Sequence, residues 1–411
     1  MQLKRTAITN ARVFDSETGA LSTSSSILIE GERIDDVVTR TISFEGATVI
    51  DAANRIVIPG LIDCHVHVTA VDHDAHRMGY LPPSLITAQS KSILEGMLLR
   101  GFTTVRDAAG ADFGLREALQ RGFFVGPRLF IAGYPLSQTG GHGDMRKPGQ
   151  GDFICTCAGL GLFGAICDGD GEVRKAVREQ LRNGANQIKV MAGGGVASPT
   201  DPIDGTQFSR AELEAIVEEV DAANTYAMAH AYSPRAITRA VEAGIRTIEH
   251  GNLMDEASAR AMRKAGAFYV PTLATYNAFT NDPAMKEFSL EMRAKADRVS
   301  ASGVQAIAIA KGEGVPIAFG TDLLGKYHSQ QSLEFVLRAG VMSATEILQS
   351  ATSVAAKVLN QVGILGVVAK GALADVLIVE GDPTVDAAVL SKPEQSLKLI
   401  MQAGNVYRNT L

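Results

Sequence analysis

Short apolar runs alternate with helix-like stretches from about residue 60 to about residue 355. In stretches such as EVRKAVREQLRNG and PRAITRAVEAG, apolar positions recur every three or four residues, which is the spacing of an amphipathic helix. Eight apolar runs are predicted to be strands: LIDCHVH, FTTVRDA, PRLFIAG, NQIKVMA, TYAMAHA, RTIEHG, AFYVPTL and VPIAFGTD. Because strands that alternate with helices are typical of βα units, the pattern predicts an α/β fold with a parallel TIM (β/α)8 barrel.

Capping residues mark where the predicted helices begin and end. Ser209 stands three residues before Glu212, and Ser343 stands three residues before Glu346, which is the spacing of a capping box at a helix start. Glycines accept the left-handed backbone that ends many helices, and five of them follow helix-like stretches: Gly101, Gly122, Gly184, Gly244 and Gly266. These signals support helices between the predicted strands.

The two ends of the chain follow a different pattern. The first part contains short strand-like segments, such as AITNARVFD and ATVIDAANRIVIPG, separated by turn residues. The C-terminal part again alternates strand-like segments with turn residues, in GALADVLIVEGD and LKLIMQAGNVYRN. We therefore predict that residues 1–59 and 356–411 form one small β domain built from both chain ends. Residues 60–355 are predicted to form the barrel.

Composition and charge narrow the classes of partner. The 411 residues carry a formal net charge of -6 and no run of Lys or Arg interleaved with aromatic residues, so neither nucleic acid nor a membrane is an expected partner. The N-terminal MQLKRTAITNARVFD lacks the apolar stretch of a signal peptide, and no segment is apolar for long enough to span a bilayer. Because four cysteines are too few for a disulfide framework at this length, we expect a cytoplasmic protein.

The loop from about Tyr134 to Asp170 is long and rich in glycine. Its length and its position between predicted strands favour an active-site lid over a surface excursion. Three cysteines in it, Cys155, Cys157 and Cys167, suggest a zinc site, but no fourth ligand at zinc-finger spacing accompanies them. We therefore do not assign a metal to these cysteines.

His65 and His67 form a His-Val-His motif at the end of the run LIDCHVH. Residues two apart project from the same face of a strand, so both imidazoles could bind one metal ion. Cys64 and Val66 would point the other way, and Cys64 is not counted as a ligand. Taken alone, the motif is more typical of partly exposed histidines at a strand end.

The positions of other polar residues strengthen the metal interpretation. His230, His250 and Asp322 each stand at the carboxyl end of a predicted strand. Because these ends meet at one face of a TIM barrel, where active sites form, the three residues should converge with the His-Val-His motif. His73, His76 and His328 lie near barrel-end loops without a partnered spacing, and we expect them to be solvent-exposed, although they could line the pocket.

Lys189 lies within the run NQIKVMA, between Ile188 and Val190, in a strand that should be buried. It could be a neutral or ion-paired lysine of the barrel. Desolvation, however, lowers the pKa of a lysine and makes its amine nucleophilic, so it could capture carbon dioxide as a carbamate. Such an anionic group can bridge two divalent ions about 3.5–4 Å apart.

Several motifs of the chain resemble the amidohydrolase superfamily. They are PGLIDCHVH, the Lys of QIKVM, the His of AHA, the His of EHG, the Asp of GTD and the closing GALADVLIVEGD, so the resemblance covers nearly the whole chain. In addition, TGGHGD, EVRKAVREQLRNGANQIKVMAGGG and AHAYSPRAI resemble its prolidase-like branch, which includes ochratoxin-type amidohydrolases and carboxypeptidases acting on N-acyl amino acids. The resemblance implies a distorted (β/α)8 barrel with a small β-sandwich domain built from both chain ends.

The same resemblance implies a binuclear metal centre. The implied ligands are His65, His67 and Asp322 for one divalent ion, His230 and His250 for the other, and N6-carboxylated Lys189 as the bridge. Zinc is the preferred metal, although such sites of nitrogen and oxygen ligands also accept manganese, iron or cobalt. A hydroxide bridging the ions would attack the amide, and Asp322 would pass its proton to the leaving nitrogen.

The resemblance also implies substrate contacts. By similarity to the prolidase-like branch, His142 and Tyr232 would contact the carbonyl or carboxylate of the substrate, although packing within the loops would explain either residue equally well. Arg106 and Arg235 could bind a carboxylate or form surface ion pairs. Neither arginine is assigned.

The sequence therefore predicts a binuclear metal-dependent amidohydrolase. It would cleave the amide bond to a C-terminal amino acid in a dipeptide, an N-acyl amino acid or an ochratoxin-type substrate. A cyclic amide or imidazolone hydrolase of the same superfamily is the alternative, with a smaller pocket and no carboxylate receptor. A catalytically silent barrel scaffold is the alternative from another class, but the retention of all six ligand types argues against it. We expect a small-molecule amide or dipeptide substrate and, from the family resemblance, a homo-oligomer.

Overall fold

A computed structural model describes residues 4–39, 45–146, 149, 160–198, 201–283 and 289–411. Its strands are β1 (Arg5–Phe14), β2 (Leu21–Glu30), β3 (Arg33–Val38), β4 (Thr48–Asp51), β5 (Ile56–Pro59), β6 (Leu61–Val66), β7 (Phe102–Asp107), β8 (Arg128–Phe130), β9 (Leu136–Ser137), β10 (Ala165–Ile166), β11 (Ile188–Met191), β12 (Ala227–Ala231), β13 (Thr247–His250), β14 (Phe268–Val270), β15 (Val376–Val379), β16 (Leu397–Gln402) and β17 (Asn405–Asn409). Its α-helices are α1 (Ala75–Met78), α2 (Pro83–Leu99), α3 (Phe113–Gln120), α4 (Gly169–Arg182), α5 (Arg210–Ala222), α6 (Pro234–Glu242), α7 (Glu256–Ala265), α8 (Leu273–Thr280), α9 (Leu290–Gly312), α10 (Glu334–Arg338), α11 (Ala344–Ser350), α12 (Ser353–Val358) and α13 (Pro393–Ser396).

The chain divides into two compact units. The terminal unit comprises Met1–Asp63, Glu95–Val105 and Ser332–Leu411, and the central unit comprises Cys64–Leu94 and Arg106–Gln331. The domain boundaries predicted from the sequence, 1–59, 60–355 and 356–411, stay predictions.

The terminal unit contains one mixed sheet made by both ends of the chain. Its strand order is β17-β16-β15-β5-β1-β2-β3, with β4 paired to β1. Strand β15 runs antiparallel to β5, with Val376 opposite Pro59, whereas β5 and β1 are parallel. Alternating side chains such as Ile8, Ile27 and Ile378 are fully buried in one apolar cluster. The two chain ends thus share a sheet, and its arrangement as a sandwich stays a prediction.

The central unit contains the parallel strands that follow the predicted βα pattern. One sheet has the order β10-β9-β11-β12-β13-β14, and its neighbouring strands pair in parallel. The register places Met191 opposite His230 and Ala231 opposite His250, so the carboxyl ends of β11, β12 and β13 lie together. Another sheet of the chain has the order β6-β7-β8, and β6 and β7 each contain residues of both units. Seven of the predicted strands therefore form, and the short β9 and β10 were not predicted.

The eighth predicted strand, residues 315–322, does not form as a regular strand. Its only β pairing among the described residues is an isolated bridge between Ile317 and Tyr269. Backbone bonds nevertheless connect it on both sides: Ala318 N donates to Tyr269 O (2.8 Å), and Cys64 N donates to Phe319 O (2.8 Å). Pro316 has no amide hydrogen to donate to a ladder. The segment therefore takes the place of a strand without its regular hydrogen bonds.

The predicted helix ends are confirmed. Ser209 and Ser343 each accept a hydrogen bond from the glutamate amide three residues on, and both glutamate side chains complete capping boxes. The five predicted glycines follow α2, α3, α4, α6 and α7 with φ between 67° and 101°. No helix within the described parts of the chain combines the length and the apolarity needed to cross a bilayer.

Candidate active site

The central unit brings the six predicted ligands together at the carboxyl ends of its strands. His65 lies in β6 and His67 just after it, Lys189 in β11, His230 in β12, His250 at the end of β13, and Asp322 at the end of the segment 315–322. The four histidines and the lysine are at most 7% exposed. All of them except His65 line a cavity of about 310 Å³, together with Asp322. The predicted convergence is therefore present.

Asp322 lies at the centre of the cluster. Its Oδ1 is 3.0 Å from His67 Nε2 and 3.4 Å from His65 Nε2, and its Oδ2 is 3.7 Å from His250 Nδ1. One potential ligand atom from each of His65, His250 and Asp322 lies within 4.8 Å of the other two. The rings of His230 and His250 are 4.6 Å apart between centroids. These distances place imidazole nitrogens and a carboxylate around a common centre.

Each of the four histidines uses one ring nitrogen in a hydrogen bond with the surrounding protein. The bonds join His65 Nδ1 to Glu249 Oε2 (2.7 Å), His67 Nδ1 to Ala109 O (3.1 Å), His250 Nδ1 to Thr272 Oγ1 (2.9 Å) and His230 Nε2 to Gly194 O (3.1 Å). A carbonyl or carboxylate oxygen only accepts, so the bonded nitrogens of His65, His67 and His230 carry hydrogen. In a neutral ring the opposite nitrogen then has the lone pair that a metal ion needs.

Burial and charge favour the forms of these side chains that bind metal. Burial, followed by the neighbouring His142, lowers the pKa of His230 well below its ordinary value, and burial also dominates the lowered pKa of His250. Both rings are therefore neutral near neutral pH. Burial alone would raise the pKa of Asp322, but His65 and His67 hold it well below its ordinary range, so the carboxylate is ionised.

Lys189 adjoins this cluster. It is 2% exposed and lines the same cavity as Asp322. Burial lowers the pKa of Lys189 to about 8, against the opposing effect of the Glu249 and Asp322 carboxylates. The neutral, nucleophilic fraction of this amine near neutral pH is therefore a minority, but it is far larger than that of an ordinary lysine.

His250 and Asp322 adopt a left-handed backbone, with φ of 68° and 55°. Positive φ is uncommon outside glycine and is a local strain that persists where the surrounding structure requires it. Successive residues of a strand normally project to opposite faces. Here both Glu249 and the next residue, His250, contact the cluster: Glu249 bonds to His65, and the His250 ring lines the cavity. The left-handed backbone at His250 is the departure from strand geometry that accompanies this arrangement.

His142 and Tyr232 also line the cavity. The His142 ring stacks on His230 with centroids 4.3 Å apart, and its Nδ1 lies 2.9 Å from Ser198 Oγ. The Tyr232 ring meets His230 edge to face at 4.7 Å, and its hydroxyl lies 2.6 Å from the hydroxyl of Tyr276. Both predicted contact residues thus adjoin the candidate metal ligands.

The sequence analysis missed Glu249 and Tyr276. Glu249 lies in the predicted strand RTIEHG, where a charged residue among apolar ones is the same signal that drew attention to Lys189. Tyr276 lies in α8, directly after the predicted strand AFYVPTL, and lines the cavity. Residues that follow a barrel strand belong to the face where active sites form, but this placement alone does not single out Tyr276.

Both arginines left open by the sequence lie away from the cavity lining. Arg106 is fully buried, and its Nη2 donates to Glu249 Oε1 at 2.9 Å, so it forms no surface ion pair. Arg235 is exposed, and its Nη2 donates to Thr206 Oγ1 at 3.1 Å. Neither is placed to receive a substrate carboxylate in this cavity.

The expectation that His73, His76 and His328 are solvent-exposed was wrong for His328, and the side chain of His76 lies outside the described part of the structure. His328 lies in the 3₁₀ helix Gly325–Leu333 and is 5% exposed. Its Nε2 lies 2.9 Å from Ala70 O. The side chain of His73 is 26% exposed and lines the cavity. A single sequence does not reveal which loop histidines the neighbouring elements will cover.

The long loop is described only in part. Cys155 and Cys157 lie outside the described residues, and Cys167 is a buried free thiol. From the described parts of the loop, Met145 and Leu162 line the cavity. The closing movement expected of a lid stays a prediction.

The donor set fits divalent metal ions. Imidazole nitrogens and carboxylate oxygens are ligands of zinc and of other first-row divalent metals. Neutral histidines and an ionised aspartate within a few ångströms, each held by a second hydrogen bond or ion pair, are the arrangement found around catalytic metals.

Comparison with known proteins agrees with this geometry. Residues 56–407 match the model of the amidohydrolase family. An ochratoxinase from Aspergillus niger is 33% identical over 369 residues, which cover 86% of this chain and 76% of the relative. A crystal structure of a prolidase complexed with N-methylphosphonate-L-proline has a TM-score of 0.96 and 46% identity, covering 99% of this chain and 100% of that one. A Xaa-Pro dipeptidase with methionine bound in its active site has a TM-score of 0.88 and 29% identity, covering 99% of this chain and 100% of that one.

Proposed function

The chain belongs to the amidohydrolase family, and from that premise we propose that it cleaves the amide bond to a C-terminal amino acid in a dipeptide, an N-acyl amino acid or an ochratoxin-type amide. Membership of the prolidase-like branch and hydrolysis of amide bonds follow from the family match, the ochratoxinase relative and the prolidase and dipeptidase structures. The family generally uses divalent metals. The finer assignments below are proposals.

One observation carries the proposal. Four buried histidines, an ionised aspartate and a desolvated lysine meet beside one cavity, and they come from β6, β11, β12, β13 and the segment 315–322. Burying polar and charged side chains lowers the stability of the fold unless they are paired or bind a metal ion. A cluster with only a structural role would therefore destabilise the protein without serving a function. Sites with strongly perturbed pKa values in a cavity are candidates for catalysis.

We propose a distorted (β/α)8 barrel as the scaffold. The parallel strands β11 to β14 supply three of the ligands at or near their carboxyl ends. Support for closure comes from the segment 315–322, which hydrogen-bonds to Tyr269 of β14 and to Cys64 and His65 of β6. Its departure from regular strand geometry is the distortion.

We propose two metal ions at the cluster. One would be held by His65, His67 and Asp322, the other by His230 and His250, with N6-carboxylated Lys189 as the bridge. Zinc suits this donor set best. Bound there, the ions would lower the pKa of a water molecule and polarise the scissile carbonyl.

Asp322 is the proposed proton carrier. Its Oδ1 is engaged by His67 at 3.0 Å, whereas Oδ2 lies farther from its neighbouring histidine, 3.7 Å from His250. The lowered pKa of Asp322 keeps its carboxylate ionised, so Oδ2 can accept the proton of the attacking water. Passing that proton to the departing nitrogen makes the amine a better leaving group.

His142 and Tyr232 are the proposed contacts to the substrate carbonyl or carboxylate. Among the described residues that line the cavity, Lys189 is the only lysine or arginine. A substrate carboxylate would therefore form hydrogen bonds with the imidazole of His142 and the phenol of Tyr232. Burial raises the pKa of Tyr232, so its hydroxyl keeps its proton and can donate.

The rest of the cavity wall is apolar. The apolar lining residues include Met145, Leu162, Met191, Val196, Phe279, Met292 and Leu324. Methionine side chains are flexible and polarisable, so this wall can adapt to apolar groups of different shape. We propose that it holds the acyl group or side chain on the amino side of the scissile bond.

A substrate panel tests the function. Purified protein of measured metal content would be assayed with dipeptides, N-acyl amino acids, the same compounds with an amidated carboxyl end, and cyclic amides. We expect turnover of the free carboxylates and a loss of roughly 100-fold or more in kcat/KM on amidation, since a buried receptor left unpaired rejects the analogue.

Two outcomes contradict the proposal. Preferred hydrolysis of cyclic amides would identify a cyclic amide or imidazolone hydrolase. No hydrolysis of any compound after zinc, manganese or cobalt is supplied would favour the silent scaffold.

A further inference from the structure

A buried ion pair lies directly behind His65. Glu249 and Arg106 are both fully buried, and Arg106 Nη2 donates to both carboxylate oxygens of Glu249, at 2.9 and 3.1 Å. Arg106 Nε donates to Cys64 O at 2.6 Å, which ties the pair to the backbone of β6 next to His65. The hydroxyl of Thr247 donates to Glu249 Oε1.

We propose that Glu249, held by Arg106, is a positioning residue that fixes the orientation and the tautomer of His65 for metal binding. The inference rests on the proposed function, because it assigns His65 to a metal. It concerns neither the substrate nor the ligands themselves. It assigns a role to two buried charged residues that make no contact with the cavity.

The hydrogen bonds leave Glu249 little freedom. Its Oε1 accepts from Arg106 and Thr247, and its Oε2 accepts from Arg106 and lies 2.7 Å from His65 Nδ1. Rotation of the carboxylate would break several of these bonds at once, inside a region without water contact. The carboxylate therefore stays in one orientation.

That orientation selects one form of His65. A carboxylate is only an acceptor, so His65 Nδ1 must carry the hydrogen of this bond. The neutral ring then keeps its lone pair on Nε2, which is the atom 3.4 Å from Asp322 Oδ1. Hydrogen bonds of this kind orient histidine ligands and raise their basicity.

A purely structural ion pair is the alternative explanation, and the chain offers a matched example. In the terminal unit, Arg338 Nε lies 2.7 Å from Glu334 Oε1, and both side chains are fully buried. This pair is equivalent to Arg106 and Glu249 in residue types and burial. It contains no candidate metal ligand. Comparing substitutions in the two pairs therefore distinguishes an effect on stability from an effect on metal binding.

The test compares metal affinity in Glu249→Gln, Glu334→Gln and the wild-type protein. Apoprotein would be titrated with zinc against a chromophoric chelator, with thermal unfolding recorded for each variant. We expect Glu249→Gln to weaken zinc binding by roughly 10- to 100-fold, as removal of such a partner typically does. Glu334→Gln should lower the unfolding midpoint and leave zinc affinity at the wild-type value.

Thr247→Val keeps the test informative if Glu249→Gln does not fold. It removes the hydroxyl, which donates to Glu249 Oε1 and accepts from Arg106 Nη1 at 3.3 Å, while keeping a similar shape. We expect it to weaken zinc binding several-fold. Wild-type zinc affinity in the folded variants, with lowered unfolding midpoints, would overturn the positioning role.

The readout also separates this inference from the proposed function. If the wild-type protein binds zinc but hydrolyses none of the panel, the function fails while the comparison of affinities still decides the role of Glu249. If the wild-type protein binds no divalent metal, both proposals fall.

Discussion

Lys189 acquires its proposed chemistry from burial. We expect Lys189→Ala to lower kcat/KM by roughly 100-fold or more, because loss of the bridge would remove several kcal/mol of metal-assisted stabilisation. A short carboxylic acid such as acetate should restore part of the rate, since the shortened side chain leaves space for a bridging carboxylate. Rates and metal content would be measured together.

Lys175→Ala is the matched control for this substitution. Lys175 is an exposed lysine on α4. The control should keep the wild-type rate and show no response to acetate. Unchanged turnover in Lys189→Ala would remove the bridge from the mechanism.

The sequence identified the candidate ligands because each breaks a simple pattern. His230, His250 and Asp322 follow apolar runs, and Lys189 interrupts one. Tyr276 breaks no pattern, since an aromatic residue in a buried helix is ordinary. Its place at the cavity depends on how α8 packs, which no local signal records. Side-chain partnerships across strands, such as that of Arg106 with Glu249, are equally invisible in sequence.

The amino end of α5 provides a prediction about an element. Ser209→Ala removes the side-chain acceptor for the Glu212 amide, so we expect the free energy of unfolding to fall by about 1 kcal/mol. Urea denaturation measures this change. Ser92→Ala, at an exposed position inside α2, should be neutral or slightly stabilising because alanine favours helix. Equal effects of the two substitutions would contradict the capping role.

The irregular segment 315–322 provides a second prediction. A Cβ on Gly320 would lie 2.6 Å from Val270 Cγ1 and 3.0 Å from His65 Cβ, so something must move. We expect Gly320→Ala to cost about 1–3 kcal/mol of unfolding free energy and to weaken metal binding through His65. Urea denaturation and zinc titration measure both changes.

Gly312→Ala is the control for the crowding at Gly320. A Cβ at Gly312, the last residue of α9, meets nothing within 4 Å. This substitution should leave stability and zinc affinity unchanged or slightly improved. If Gly320→Ala behaves in the same way, close packing against His65 does not constrain this segment.

The elements themselves were largely predictable from sequence. Seven strands and the capped helices formed where apolar runs and capping residues placed them, since these signals are local. The prediction of a regular eighth strand was wrong. Its hydrogen bonds depend on both neighbouring strands, and Pro316 has no amide hydrogen to donate to them. Strands β9 and β10, of two residues each, are too short to produce a pattern.

Metal binding should stabilise the whole molecule. Any ligand that binds only the folded state raises the free energy of unfolding, by about 2.7 kcal/mol when its free concentration is roughly 100 times Kd. We therefore expect a chelator to lower the thermal midpoint and added zinc to restore it, as measured by calorimetry. A midpoint indifferent to both treatments would contradict a metal centre. The homo-oligomer and the cytoplasmic location stay predictions.

The left-handed backbone at His250 and Asp322 restricts which amino acids these positions can hold, independently of metal chemistry. Glycine and asparagine tolerate this conformation, whereas valine and isoleucine resist it. In a saturation library scored for protein abundance and for activity, nearly every substitution at either position should be inactive. Abundance should nonetheless stay high for glycine and asparagine and fall for the β-branched residues, so protein yield would report the backbone requirement alone.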